Sequence, residues 1–431
     1  MSMKPAAYLA VGVVVGAGLC ALAAHGAVET NAYGQLDLFS TAFAKVRAEY
    51  VDPVPDDRLV GAAIQGMVSG LDPHSAYMDA KSFGGDFQVR TQGHFGGVGI
   101  EVSPDNGVIR VISAMDGMPA AAAGIKPEDR ITAINGAQVA DHDFNESIDK
   151  MRGVVGTKVV LTIERAGEKK PFDVTLARAN VPFEAVVRRR EGDIGYIRLP
   201  GFNEETADGM EKAVRELKKE IGPGIRGYVL DLRNNPGGLL DQAIQVSDDF
   251  LNSGEIVSTR GRHPEDTQRY DAKSGDITDG KPVVVLINAG TASASEIVSG
   301  ALQDHRRATI IGMTSFGKGS VQTILPLGDG RGALRLTTAR YYTPSGHSIQ
   351  AQGIIPDIQV AQGDEVPQSE RYSEADLQGH LAGEPIPASR LNAPVIYAAP
   401  GKKYDDFQLA YALDLLRGKE TVASVTKGNP G

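Results

Sequence analysis

Hydrophobic and polar positions change their spacing along the chain, and each change predicts a different kind of structure. From Leu36 to Tyr50, apolar residues fall at Leu36, Phe39, Phe43, Val46 and Tyr50, a helical stripe that ends near Asp52-Pro53. Leu59, Ala63, Met67 and Leu71 place a second stripe on a helix from Asp57 to Leu71, broken by Asp72-Pro73. The two read as a helical hairpin packed on its own domain, with heptad-like spacing that also suits contact with a second copy. From Gly93 to about Arg178 the pattern shortens to strands at Val108–Ile112, Arg130–Ile134 and Val159–Ile163, with a short helix at Pro119–Ala123 closed by Gly124. Beyond about Val181 strands and helices alternate. Strands fall at Gly195–Leu199, Tyr228–Leu232, Val283–Ile287 and Thr309–Gly312, and helices at Glu204–Ile221, at Leu239–Leu251 and through Leu302. That alternation predicts an α/β core with partly parallel strands. The stretch from Val360 to Pro400 is polar and loop-like, and Leu409, Ala412, Leu413 and Leu416 mark a last helix.

Composition narrows the class. A length of 431 residues predicts about three domains. Apolar residues at 42% and charged residues at 23% exclude a polytopic membrane protein and a wholly disordered chain. A net charge of −10 argues against a nucleic-acid partner. The one cysteine, Cys20, lies in the first apolar run, which leaves no disulfide framework, zinc-thiolate site or cysteine nucleophile in the remainder. That run, uncharged from Pro5 to Ala24 after Lys4, fits either a secretory signal or an uncleaved membrane anchor over residues 5–24. Either reading exports the rest of the chain, to a bacterial periplasm or the outer face of the inner membrane.

Candidate chemistry lies in three places. Phe95-Gly96-Gly97-Val98-Gly99-Ile100 precedes the strand-rich segment, and with that strand order it resembles a PDZ domain. Such a loop presents main-chain N–H groups to a peptide's terminal carboxylate, which makes Gly97, Val98, Gly99 and Ile100 candidate peptide-binding residues. Asn288 to Glu296 follows a buried strand and opens a helix. There Ser293-x-x-Glu296 reads equally as a capping box and as a small-residue turn that exposes a hydroxyl at a positive helix end. Lys318 lies between Gly317 and Gly319, and three chemistries compete for it. A P-loop fails because Gly319 stands where Ser or Thr would hold magnesium. Ser315-x-x-Lys318 copies a penicillin-binding motif, but Gly317 and Gly319 disfavour the helical turn it needs. The third pairs Ser293 with Lys318 as nucleophile and general base. An exposed lysine is neutral in about one molecule in 2,500 at pH 7, so this pairing needs a drop of roughly three units, about 4 kcal/mol, chiefly from burial. The eight histidines show no metal-ligand spacing, and His305 and His347, nearest the proposed core, read as surface residues.

Several motifs in one order then resemble the C-terminal processing peptidases. They are Gly70-Leu-Asp-Pro-His-Ser-Ala-Tyr-Met78, Asp231-Leu-Arg-Asn-Asn-Pro-Gly237-Gly238-Leu239, Thr291-Ala-Ser293-Ala-Ser-Glu296-Ile297, Phe316-Gly-Lys318-Gly-Ser-Val-Gln322, Arg340-Tyr-Tyr-Thr-Pro-Ser-Gly346 and Gly353-Ile-Ile-Pro-Asp357. The resemblance implies an α/β (α+β) fold: a crotonase-like serine protease core with an inserted PDZ domain and helical N- and C-terminal segments. It implies that Ser293 is the nucleophile, Lys318 the general base, Gln322 the residue that orients the lysine, and the N–H groups of Gly238 and Ala294 the oxyanion hole. Gly237, adjacent, is the alternative donor. It also implies cleavage of exported proteins near their C-termini, with the PDZ domain recognising that terminus or gating activity, and no cofactor.

The expected organisation is a signal peptide or anchor at 1–27, an N-terminal helical segment at 28–92, a PDZ domain at 93–178, a protease core at 179–358 and a C-terminal loop and helical tail at 359–431. Expected partners are protein or peptide substrates, a second copy through the terminal helices, and an activating or adaptor protein. The rival reading is a PDZ scaffold whose protease core is inactive or gated by a partner.

Overall fold

The computed structural model describes residues 32–83, 94–105, 107–115, 117–141, 144–182, 185–362, 372–384, 394–399, 402–419 and 423–426. The leader expected at 1–27 lies outside the described residues, among which no helix is long and apolar enough to cross a membrane. The chain forms two units, residues 1–68 and 69–431.

In the first unit, the two stripes form helices, over 32–49 and from Asp56 towards Ser69. The packed hairpin does not form as expected: Leu36, Phe39, Val46 and Tyr50 are 62%, 52%, 46% and 60% exposed. The Asp52-Pro53 break is spanned by an exposed Arg47–Asp56 ion pair at 3.2 Å. A pair of that kind contributes little and cannot draw two apolar faces together.

The second unit holds two layered structures. The first is an antiparallel sheet in the order Ile100–Asp105, Val108–Ala114, Arg130–Ile134, Lys158–Glu164, Phe172–Ala177. Its period-two pattern buries Val159, Leu161 and Ile163 completely, packed with Ile109, Val111, Ile131 and Ala120. The short helix Pro119–Ala122 forms as expected, and Gly124 at φ +76° follows it. The helix Phe144–Met151 was not apparent from the sequence. Ile100–Asp105 forms one edge of this sheet. Strands His94–Gly97 and Ala179–Pro182 pair antiparallel, so the segment between them leaves and returns at one place, as an insertion must.

The core is a six-stranded sheet. Val187–Glu191 pairs antiparallel with Ile194–Arg198, and Gly227–Asp231, Val283–Ile287, Ala308–Gly312 and Ile358–Gln359 follow in parallel. Parallel strands covered on both faces are apolar throughout, which is why Val283–Ile287 is buried at every residue. Val283, Val285 and Ile287 pack with the helices Thr206–Ile221, Leu240–Asp248 and Ala294–Asp304. Val284 and Leu286 face the opposite way, onto Phe407, Leu409 and Ala412 of the last helix, Phe407–Arg417. A second sheet centres on Ala333–Tyr342, which pairs with Ala76–Met78, Glu255–Arg260 and Ser320–Pro326.

Candidate active site

The buried strand Val283–Ile287 runs into a tight turn that ends at Ser293, where the helix Ala294–Asp304 begins. Ser293 adopts φ +58° and ψ −115°, a conformation that costs a non-glycine residue on the order of 1–3 kcal/mol and survives only where neighbours over-determine it. They do so here. Ala292 N–H donates to the Asn235 carbonyl at 2.9 Å, Ser293 N–H to Glu296 Oε2 at 2.7 Å, and Ser295 Oγ to the Asn235 carbonyl at 2.7 Å. The side chain sits at the helix's positive end, and the residue is 9% exposed.

The glycine loop after Gly227–Asp231 lies against this turn. A Cβ on Gly237, whose φ is +96°, would fall 2.8 Å from Ser293 Cβ and 2.9 Å from Ala294 N, so only glycine fits. Gly237 N–H is occupied, donating to Asn235 Oδ1 at 2.9 Å. Gly238 forms a parallel bridge with Phe202, made by Phe202 N–H to the Gly237 carbonyl and Leu239 N–H to the Phe202 carbonyl. That pattern uses the amides on either side and leaves Gly238 N–H without an acceptor among the described residues. Ala294 N–H, first in its helix, has none either. The loop is braced at its start by Arg233, which donates to Asp231 Oδ2 at 2.6 Å and to Asp406 Oδ2 at 2.7 Å in the N-cap of the last helix.

Lys318 lies on a non-helical loop, as its flanking glycines require; Gly317 is at φ +97° and Gly319 abuts the Gln350 backbone. One carboxylate joins this loop to the Ser293 turn. Wholly buried Glu296 accepts Ser315 Oγ–H at 2.6 Å and Gly317 N–H at 2.7 Å on Oε1, and Ser293 N–H at 2.7 Å and Lys318 N–H at 2.9 Å on Oε2. Two hydrogen bonds to one oxygen put the main-chain nitrogens of Ser293 and Lys318 within about 6 Å of each other. Burial pushes the Glu296 carboxyl up to about 7, against all four of those bonds. The Lys318 amine is held below the ordinary lysine range by burial first and Arg335 next, against the pull of Glu374, Glu296 and Asp72.

The other expected residues fall as follows. Ser315 Oγ donates to Glu296 and accepts Ile354 N–H at 2.6 Å, so its hydroxyl is engaged in structure. Gln322 Nε2 donates to Ser320 Oγ at 2.9 Å and Thr337 Oγ1 at 3.3 Å; among the described residues no hydrogen bond links Gln322 to Lys318. A β-bulge between Val321 and Gln322 turns the strand at that point. In the inserted sheet, the carbonyls of Val98 and Gly99 accept Ala120 and Met115 N–H at 2.9 Å each, and Gly99 at φ +72° packs on Met118. These bonds fix the course of Gly97–Ile100 beside the edge strand. Sequence reasoning missed Glu374 and the part played by His74. Glu374 is fully buried, with both carboxylate oxygens on His74 Nε2 at 2.8 and 2.9 Å. A buried polar residue in a loop-like stretch leaves no periodic signal. His305, read as a surface residue, is half-buried and bonds the Glu255 carbonyl at 2.7 Å.

Comparison with known proteins matches residues 193–360 to peptidase family S41, 96–176 to a PDZ domain, and 20–82 to the N-terminal domain of the activating protease CtpB. A carboxy-terminal-processing protease of Bartonella bacilliformis is 52% identical over 404 residues, which cover 92% of this chain and 91% of that one. The carboxy-terminal processing protease CtpA of Bacillus subtilis is 38% identical over 332 residues, covering 76% and 69%. Among solved structures, a photosystem II D1 C-terminal processing protease aligns with a TM-score of 0.44 at 31% identity, covering 73% of this chain and 86% of its own.

Proposed function

Because the chain belongs to the C-terminal processing peptidases of family S41, serine-type enzymes that here carry a PDZ domain, we propose that it is an exported endopeptidase that cleaves protein substrates near their C-termini with a Ser293–Lys318 dyad. One observation supports this above the rest: a single buried oxygen of Glu296 binds the backbone of both residues and so holds two distant segments together. Neutral Lys318 takes the Ser293 hydroxyl proton as Oγ attacks the substrate carbonyl. The unoccupied N–H groups of Gly238 and Ala294 receive the negative charge that develops on the carbonyl oxygen, and each such donor contributes on the order of 10²–10³ in rate. Lys318 then protonates the departing amine, takes a proton from the water that attacks the acyl-enzyme, and returns it to Ser293 Oγ as the ester bond breaks. Gln322 orients the lysine through its amide oxygen, its nitrogen being fixed by Ser320 and Thr337.

In this reading, Gly97, Val98, Gly99 and Ile100 receive a substrate's terminal carboxylate, and the peptide adds to the edge strand Ile100–Asp105. Residues 5–24 act as signal or anchor, which places the enzyme in the periplasm or on the outer face of the inner membrane. The open apolar face over 32–49 pairs with a second copy through the terminal helices, and an activating or adaptor protein engages the same assembly. The test is cleavage of an unfolded, apolar-tailed protein by Ser293→Ala, Lys318→Ala and Lys318→Arg variants, with mass mapping of a serine-reactive probe. All three variants lose turnover while remaining folded, Lys318→Arg because arginine cannot become neutral, and the probe labels Ser293. Full cleavage by any of them, or labelling of Ser315, refutes the dyad.

A further inference from the structure

Glu374 is the centre of a buried cluster for which the proposed chemistry has no use. It belongs to the segment 372–384, which lies across the Lys318 loop. Glu374 N–H donates to the Phe316 carbonyl at 3.0 Å, two residues before Lys318, and Tyr372 packs near the Phe316 ring with centroids 6.4 Å apart. Glu374 Oε1 accepts Gln350 Nε2 at 3.0 Å, and the oxygen of that same Gln350 amide accepts Gly319 N–H at 3.1 Å, one residue after Lys318. Both flanks of the lysine are thus tied to one residue, the first through its main-chain N–H and the second through its carboxylate and Gln350.

The other side of Glu374 faces His74, from the Gly70–Met78 motif. Arg335 Nε donates to the His74 carbonyl at 2.9 Å, and Asp72 Oδ1 accepts His74 N–H at 2.9 Å. Asp72 also accepts Ser75 Oγ–H at 2.6 Å and Thr337 Oγ1–H at 3.0 Å, and Thr337 Oγ1 in turn takes Gln322 Nε2. The motif therefore reaches Lys318 through Glu374 and Gln322 through Thr337. The charged groups whose fields reach the Lys318 amine are Arg335, which disfavours its protonation, and Glu374, Glu296 and Asp72, which favour it.

We infer that Glu374 is a positioning residue for Lys318: locked by His74 and Gln350, it fixes the loop that presents the amine, and its charge sets the pH at which that amine can accept a proton. The inference rests on Lys318 being the general base. The experiment measures kcat and KM of the full chain on one peptide substrate across the neutral and alkaline range, for Glu374→Gln, Glu374→Asp and Glu374→Ala, beside Lys318→Ala. Removing an anion near an ammonium disfavours the charged form, so Glu374→Gln moves the acid limb of kcat/KM to lower pH by about half a unit or more. Glu374→Asp keeps the charge and leaves the limb in place. Glu374→Ala keeps the main-chain bond to Phe316 but loses the links to Gln350 and His74. That loosens the loop and lowers kcat roughly ten- to a hundredfold with KM within about twofold, the scale expected when a reacting group shifts by about 1 Å. Melting curves identify which neutral variant folds, and the limb is read from that one. An unmoved limb in a folded neutral variant, or Glu374→Ala with wild-type kcat at every pH, overturns the inference. Turnover by Lys318→Ala sinks the base assignment instead.

Discussion

Removing the Glu296 carboxylate tests how far the two halves of the site depend on it. In Glu296→Ala the N–H groups of Ser293, Gly317 and Lys318 and the hydroxyl of Ser315 all lose an acceptor that is itself wholly buried. A buried donor left unsatisfied costs about 1–3 kcal/mol, so the main-chain groups alone contribute roughly 3–9 kcal/mol, against a whole-protein stability of about 5–15 kcal/mol. Relief from burying a charge offsets part of this, which leaves an expected loss of about 2–6 kcal/mol. Glu296→Gln is milder. Its amide oxygen can serve Ser293 and Lys318 while the NH2 donates to Ser315, so only Gly317 N–H is orphaned, at about 1–3 kcal/mol. Urea denaturation at pH 7 followed by kcat on a peptide substrate reads both effects. Glu296→Ala unfolds at markedly lower urea or is folded and inactive, and Glu296→Gln falls between it and wild type. A Glu296→Ala protein within about 1 kcal/mol of wild type and fully active would show that the shared acceptor is incidental.

Two further outcomes follow from buried charge. Lys318 in the folded state holds its proton less tightly than in the unfolded chain, so between its lowered pKa and the ordinary 10.5 the unfolded state binds more protons and stability rises with pH. Lys318→Met accordingly melts at or above wild type near pH 7, and its advantage narrows as pH climbs; a variant that melts below wild type throughout contradicts the burial cost. Asp406 has its carboxyl held below 3.8: burial opposes this, but the hydrogen bonds and charge of Arg233 prevail. Its contribution is complete above pH 4 and is lost as pH falls through the depressed value. Asp406→Asn is therefore destabilised by about 1–3 kcal/mol at pH 7 and converges on wild type in acid. A constant gap across that range would mean the Arg233–Asp406 pair contributes no charge-dependent stability.

The alternation of apolar runs located the α/β core because each parallel strand is covered on both faces, so Val283–Ile287 announces itself by composition alone. The turn at Ser293 was legible as a helix start, but its second meaning was not. Ser293-x-x-Glu296 is written the same way whether Glu296 caps one helix or also binds Gly317 and Lys318. The choice between Gly237 and Gly238 as a free donor turned on a side-chain acceptor, Asn235 Oδ1, whose direction no spacing rule gives. Gln322 shows the opposite limit: it lies four positions after Lys318, but on a bulged strand, and its amide nitrogen goes to Ser320 and Thr337. The stripe at Leu36–Tyr50 predicted its helix and overstated its packing, because periodicity reports a face and not what covers it.

Ser293, Lys318 and both glycines are synthesised well before the residues that secure them. Asp406 steadies the glycine loop through Arg233, and Glu374 grips the lysine loop through Phe316 and Gln350, and both residues follow Ser293 and Lys318 along the chain. On the proposed mechanism, a nascent chain that has only just emerged past Lys318 lacks the side chains that brace both loops, and the proposed site is complete only once Asp406 has followed.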